Sequence, residues 1–142
     1  MRFWDTSAIV PLVLREESTP VVTELLSNDP GIIAWWGTYV EAVSALARLQ
    51  REAHLTLDKL QEAIESLEGL LSGATIIHPD DQVRATAKRL LLAHPLRGPD
   101  ALQLAAALIA VEGQSEDRGL VSLDHRLRAA AETEGFTVHP AE

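Results

Sequence analysis

Asp5, Glu41, Asp100 and Asp124 are the residues of this sequence whose types and places suggest chemistry. Asp5 closes the short opening Arg2-Phe3-Trp4 and is followed by two hydroxyls, Thr6 and Ser7, before an apolar run resumes. Asp124 comes just after the strand-like Leu120-Val121-Ser122. Glu41 falls in the first turn of the helix that Thr38-Tyr39-Val40 opens, and Asp100 in the first turn of one that Gly98-Pro99 opens. In a parallel sheet, strand C-termini and helix N-termini meet along one rim, and ligands bind in the crevice outside it. Carboxylates gathered there repel one another unless protons or a cation neutralise them. An all-oxygen donor set, in a chain with no cysteine and no histidine pair at metal spacing, suits a hard cation such as Mg²⁺ or Mn²⁺. Such ions assist hydrolytic phosphoryl transfer by polarising a phosphate oxygen and lowering the pKa of bound water.

Each acid also has a plain structural explanation. Asp5 or Thr6 can cap the first helix. Thr38 and Glu41 fit a T-x-x-E capping box. Asp100 after Pro99 is a favourable first-turn acid against the helix dipole, and Asp124 can cap its own helix. Taken singly these readings suffice; taken together, four such acids could also converge on one rim as a shared site, and spacing alone leaves both readings open.

The elements that must position them alternate between strand and helix. The sequence predicts strands ending at Asp5, over Ile32–Trp35, over Ala74–Ile77, at Leu120–Ser122 and at Phe136–Val138, the last as an edge. Helices are expected over Thr6–Leu14, with Pro11 in the first turn or bending it, from Ser18-Thr19-Pro20 to Asn28, and from Thr38 to about Glu52. Another carries the stripe Leu57, Leu60, Ile64, Leu67, Leu71, and others run to Leu92, from Gly98 to Val111 and from Asp124 to Glu134. The helix after Thr38 is expected to bury Val40, Val43 and Ala47, with Leu46 and Leu49. The helix from Gly98 is apolar on nearly every face and therefore buried, with Gln103 inside it. Gly113–Arg118 reads as a polar loop. This alternation implies a three-layer α/β/α domain with a mostly parallel sheet of four to five strands, the first strand central. Residues 1–142 form one domain, with no repeat or linker.

The formal charge of −9 argues against broad, charge-driven nucleic-acid binding, though not against a local basic rim. The absence of cysteine fits a reducing compartment. No apolar run is long enough to cross a bilayer, and Asp5, Pro11 and Arg15-Glu16-Glu17 do not suit a signal peptide, so a cytoplasmic protein is expected.

Four segments occur in the order and spacing of PIN-domain ribonucleases, and the chain most resembles the VapC-type toxins of toxin–antitoxin pairs. They are Phe3-Trp4-Asp5-Thr6-Ser7-Ala8, Tyr39-Val40-Glu41, Leu96 to Ala107 around Asp100, and Val121 to Leu127 around Asp124. By this resemblance Asp5, Glu41, Asp100 and Asp124 match the family's metal-binding acids, and Ser7 and Ser122 its small hydroxyl positions. The family often has Thr where Ser122 stands and His where Gln103 stands; the latter change could alter substrate or partner contacts. The resemblance implies a Mg²⁺- or Mn²⁺-dependent endoribonuclease, homodimeric, held in check by an antitoxin. In that reading Asp5, Asp100 and Asp124 hold metal while Glu41 orients or deprotonates the attacking water. Arg97, His125 and Arg126 are the candidates for RNA contact, each with the alternative of being merely solvated. Trp35 and Trp36 could stack a base, but strand alternation turns one of them inward. The leucine stripe could offer a groove to an amphipathic antitoxin segment.

Two rival functions are a non-catalytic PIN-like module that binds RNA or protein, and an aspartyl-phosphate phosphatase in which Asp5 attacks phosphate directly. A lost carboxylate would favour the first, and all four are present. The second resembles enzymes with another Asp two positions on, where this chain has Ser7, and it needs a well-placed lysine, of which only Lys59 and Lys88 exist.

Overall fold

Phe3 and Trp4 point to opposite faces of the strand they end, and each belongs to a separate hydrophobic core. That alternation follows from the two-residue period of an extended chain. It recurs in Leu120 and Val121, which join the Phe3 and Trp4 cores respectively. The computed structural model describes residues 1–114 and 116–142.

The strands are β1 (Arg2–Trp4), β2 (Ile32–Trp35), β3 (Thr75–Ile77), β4 (Gly119–Val121) and β5 (Thr137–His139). They form one five-stranded sheet in the order β3-β2-β1-β4-β5, with every pairing parallel. Thus β1 is central and β5 an edge, as the sequence predicts. Each strand C-terminus therefore opens on the same rim. On the Trp4 face lie α1 (Thr6–Val13), α2 (Thr19–Asn28), α3 (Thr38–Arg51) and α4 (Leu57–Ser72); on the Phe3 face lie α5 (Asp81–Ala93), α6 (Gly98–Ala110) and α7 (His125–Thr133). This is the expected three-layer α/β/α arrangement. Phe3 and Trp4 are 1% and 0% exposed. Cutting either to alanine should cost about 3–5 kcal/mol through lost burial and the cavity left behind.

Several local expectations change. The core face of α3 is Thr38, Ala42 and Leu46, whereas Val40 is 66% exposed. Gly37 is the N-cap of α3, and a Cβ there would collide with the indole nitrogen of Trp35. The capping box of Thr38 and Glu41 is not formed, because Thr38 is already helical and no side chain caps this helix. Along α4, Ala63 and Leu67 are buried and Leu60, Ile64 and Leu71 pack partly against the core. Only Leu57 of the predicted stripe is exposed, so the stripe chiefly serves the protein's own interior rather than a partner groove. Pro11 lies inside α1, past its first turn. The expected loop from Gly113 to Arg118 includes Ser115, which lies outside the described residues.

Candidate active site

Asp5 occupies the N-cap position of α1 with extended backbone, yet its side chain caps nothing. Its N–H donates to Val121 O at 3.1 Å, which fixes the strand end beside β4. Its carboxylate is taken by two hydroxyls instead. Ser7 Oγ donates to Oδ1 at 2.7 Å and Ser122 Oγ to Oδ2 at 3.1 Å. Both serines are themselves held by the turn after β4: Leu123 N–H donates to Ser7 Oγ at 2.8 Å, and Asp124 N–H to Ser122 Oγ at 3.1 Å. Ser7 and Ser122, the two hydroxyls singled out in the sequence, thus both bond to the Asp5 carboxylate. Arg128, also buried, donates to Ser122 O and to the carbonyls of His139 and Pro140, bracing that turn from below.

Asp5, Glu41, Asp100 and Asp124 line a single cavity of about 650 Å³ at the C-terminal rim, together with Thr6, Ser7, Gln103 and Arg48. Asp5 is 4% exposed, and burial pushes its carboxyl pKa up to about 7 against the lowering effect of Ser7 and Ser122. The charge of Asp124 raises it further. Asp100 is raised chiefly by burial and then by Asp124, with Arg97 and Arg126 pulling it down. Glu41 is raised chiefly by burial and also by Asp100, with Thr6 and Gln103 opposing. Repulsion thus links all four acids in a chain from Asp5 through Asp124 and Asp100 to Glu41. Isolated helix caps would not couple in this way. Asp124 does both jobs, because its Oδ1 also accepts from Leu127 N–H at 3.0 Å and caps α7.

Next to this cavity is a cleft of about 530 Å³ lined by Arg97, Pro99, Asp100, Asp124, His125 and Arg126. It gathers all three candidate RNA-contact residues beside two of the acids. Trp36 is 56% exposed whereas Trp35 is 5% exposed, as strand alternation requires.

The sequence did not single out Thr6 and Thr38 as parts of the site. Thr6 Oγ1 donates to Glu41 Oε1 at 2.9 Å, and the two hydrogens of Gln103 Nε2, one of them shared, serve Thr6 Oγ1, Thr38 Oγ1 and Glu41 Oε1 at 2.9, 3.0 and 3.2 Å. The available signal was Gln103 itself, a polar residue within an otherwise apolar helix. It is 2% exposed, too buried to meet a macromolecular partner directly.

The donor set suits a hard divalent cation: carboxylate and hydroxyl oxygens, with five acids against one arginine, Arg48, in the lining of the cavity. Among the described residues, no three acidic or histidine side chains already close on one point. The acids instead face the cavity from its walls, an arrangement compatible with Mg²⁺, which usually keeps several of its waters.

The PIN-domain family profile matches residues 2–133. The chain belongs to the PIN-domain family. Ribonucleases VapC45 and VapC49, from two strains of Mycobacterium tuberculosis, are each 31% identical to this PIN domain over 142 residues, covering 99% of it and 95% of their own length. Among solved structures, Mycobacterium tuberculosis VapC20, described as a sarcin-ricin loop cleaving toxin, superposes with a TM-score of 0.68 at 15% identity, over 96% of this chain and 97% of its own. FitAcB from Neisseria gonorrhoeae gives 0.66 at 18% identity, covering 97% and 96%. A toxin–antitoxin complex from Klebsiella pneumoniae gives 0.62 at 17%, covering 87% of each chain. At those identities the structural likeness establishes the fold, and the parallel sheet and layer order described above are those of a PIN domain. Among the described residues, no helix is long and apolar enough to cross a membrane.

Proposed function

We propose that this PIN domain is a Mg²⁺- or Mn²⁺-dependent endoribonuclease that cleaves RNA by water attack and serves as the toxin of a toxin–antitoxin pair. The observation that carries this reading is the convergence of four acids on one cavity, with Arg97, His125 and Arg126 in the cleft at its side. The relatives named as VapC ribonucleases support the substrate class. Asp5, Asp100 and Asp124 are the residues that would hold the ion. When bound, it would polarise a phosphate oxygen and lower the pKa of an attacking water. Asp5 must first give up its proton, since only the carboxylate ligates. Glu41 faces the same cavity and is the group to orient the water or accept its proton. Arg97, His125 and Arg126 would carry the RNA phosphates past the acids, positioning the strand without reading its sequence.

The phosphatase alternative wants a lysine beside the phosphate, and neither of the chain's two lysines, Lys59 and Lys88, lines the acid cavity, which disfavours it. We infer an antitoxin whose basic side chain neutralises the acid cavity, and a homodimer that covers the apolar hollow formed by Leu91, Leu92 and Leu102, where Leu92 is 82% exposed. An enzyme acting on cellular RNA belongs in the cytoplasm.

The test is cleavage of end-labelled, single-stranded and hairpin RNAs. Cutting should require Mg²⁺ or Mn²⁺, stop in excess chelator and continue when the nucleotide 5′ to the cut lacks its 2′-hydroxyl. Products ending in 2′,3′-cyclic phosphate, with activity in chelator, would contradict attack by water.

A further inference from the structure

We infer that Gln103 is a positioning residue that aims the Glu41 carboxylate into the cavity; this rests on the role of Glu41 proposed above. Gln103 sits on α6, Thr6 on α1, and Thr38 and Glu41 on α3, so its single amide nitrogen ties together three helices that meet above the sheet rim. The orientation of the amide is dictated by Glu41. Turned over, Gln103 would set a carbonyl oxygen against a carboxylate oxygen, two acceptors facing each other, whereas either threonine hydroxyl could adapt to both orientations.

The arrangement has a cost that a packing role would not incur. Gln103 Oε1 is buried without a hydrogen-bond partner, in a helix whose neighbouring buried positions are Ala101, Leu104, Ala105, Ala106 and Ala107. A leucine there would leave no orphaned acceptor. Retaining an amide with one unsatisfied end is explained by what its other end does. The bonds that Thr6 and Gln103 donate to Glu41 both fall on Oε1. They fix the side chain while leaving Oε2 for a water in the cavity. Fixing a reacting group in this way acts on the chemical step rather than on substrate binding.

Two measurements test this, on the full chain. The first uses metal-free protein carrying ¹³C-labelled glutamate carboxyls, with the Glu41 signal assigned by its loss in Glu41→Gln. In the parent this signal should be resolved from those of exposed glutamates; in Gln103→Leu it should move toward them. An unchanged signal overturns the proposal, whatever the enzyme's activity. The second is single-turnover cleavage of a pooled library of end-labelled random-sequence RNAs with Mn²⁺. Gln103→Leu should slow cleavage by about tenfold or more with half-saturation within about twofold of the parent. Gln103→His, whose imidazole N–H can donate to Glu41, should recover most of the rate. In a Glu41→Gln background, adding Gln103→Leu should cost no more than about twofold. Repetition of the full loss there would mean that Gln103 acts otherwise, and a rate that follows only the folded fraction would make it a packing residue. Asp5→Asn cleaving like the parent would instead overturn the nuclease reading, leaving the carboxyl signal to judge Gln103.

Discussion

Ser122 Oγ donates to Asp5 Oδ2 at 3.1 Å, joining the end of β1 to the residue after β4 across 117 positions of sequence. The bond favours the ionised form of Asp5 and so opposes the burial that raises its pKa. Ser122→Ala should therefore raise the Asp5 pKa further, moving the acid limb of kcat/KM to higher pH. It also leaves Asp124 N–H without its acceptor, at a stability cost of about 1–3 kcal/mol. A limb displaced to lower pH would contradict this account of Asp5.

The same carboxyl makes folding stability depend on pH. Its value is 3.8 in an open chain and about 7 in the fold, so between these values the folded protein holds a proton that the unfolded chain releases. Stability from this group is therefore lost as pH rises through that window and is level above it. The full effect is at most ~4 kcal/mol. Denaturant unfolding of metal-free parent and Asp5→Asn should show the mutant gaining on the parent from about pH 4 to about pH 7, then holding a constant difference. A difference independent of pH would show that Asp5 does not titrate in the fold as described.

Arg97 and Arg126 line the cleft beside Asp100 and Asp124. Replacing either with glutamine should raise KM for RNA several-fold with a smaller change in kcat. It should also lower the slope of log affinity against log salt by roughly 0.7 for each phosphate that is no longer neutralised. An unchanged salt slope in both variants would remove them from the RNA path.

How much of this was legible in the sequence follows from the range of each interaction. Trp4, Leu120 and Val121 lie in short apolar runs bounded by polar or turn residues, so the strands and the central place of β1 could be read locally. The acids could be read because each sits at a strand end or helix start, and the fold supplies their common rim. Glu41 was harder. Its spacing from Thr38 imitates a capping box, but Gly37 is the N-cap and the Thr38 hydroxyl turns inward to Gln103 instead. On α3 the burial of Leu46 and the packing of Val43 were legible, but Val40 is exposed and Ala42 buried in its place, since both fit helical patterns and tertiary packing chooses between them. The leucines of α4 have partner-like spacing, but sequence periodicity does not say whether the opposing surface belongs to the same chain.

The most direct test of a shared acid site is thermal unfolding of the parent and Asp5→Asn above pH 7, with and without Mg²⁺. The structure assigns Asp5 two hydroxyl donors but also deep burial beside Asp124, and burial prevails. Asparagine keeps the shape and removes the charge, so without metal the mutant should melt above the parent. Mg²⁺ at about a hundred times its dissociation constant should stabilise the parent by roughly 2.7 kcal/mol and leave the mutant nearly unchanged. A metal-free Asp5→Asn protein that melts clearly below the parent, with Mg²⁺ acting equally on both, would show that Asp5 is a structural acid and that the four carboxylates share no metal site.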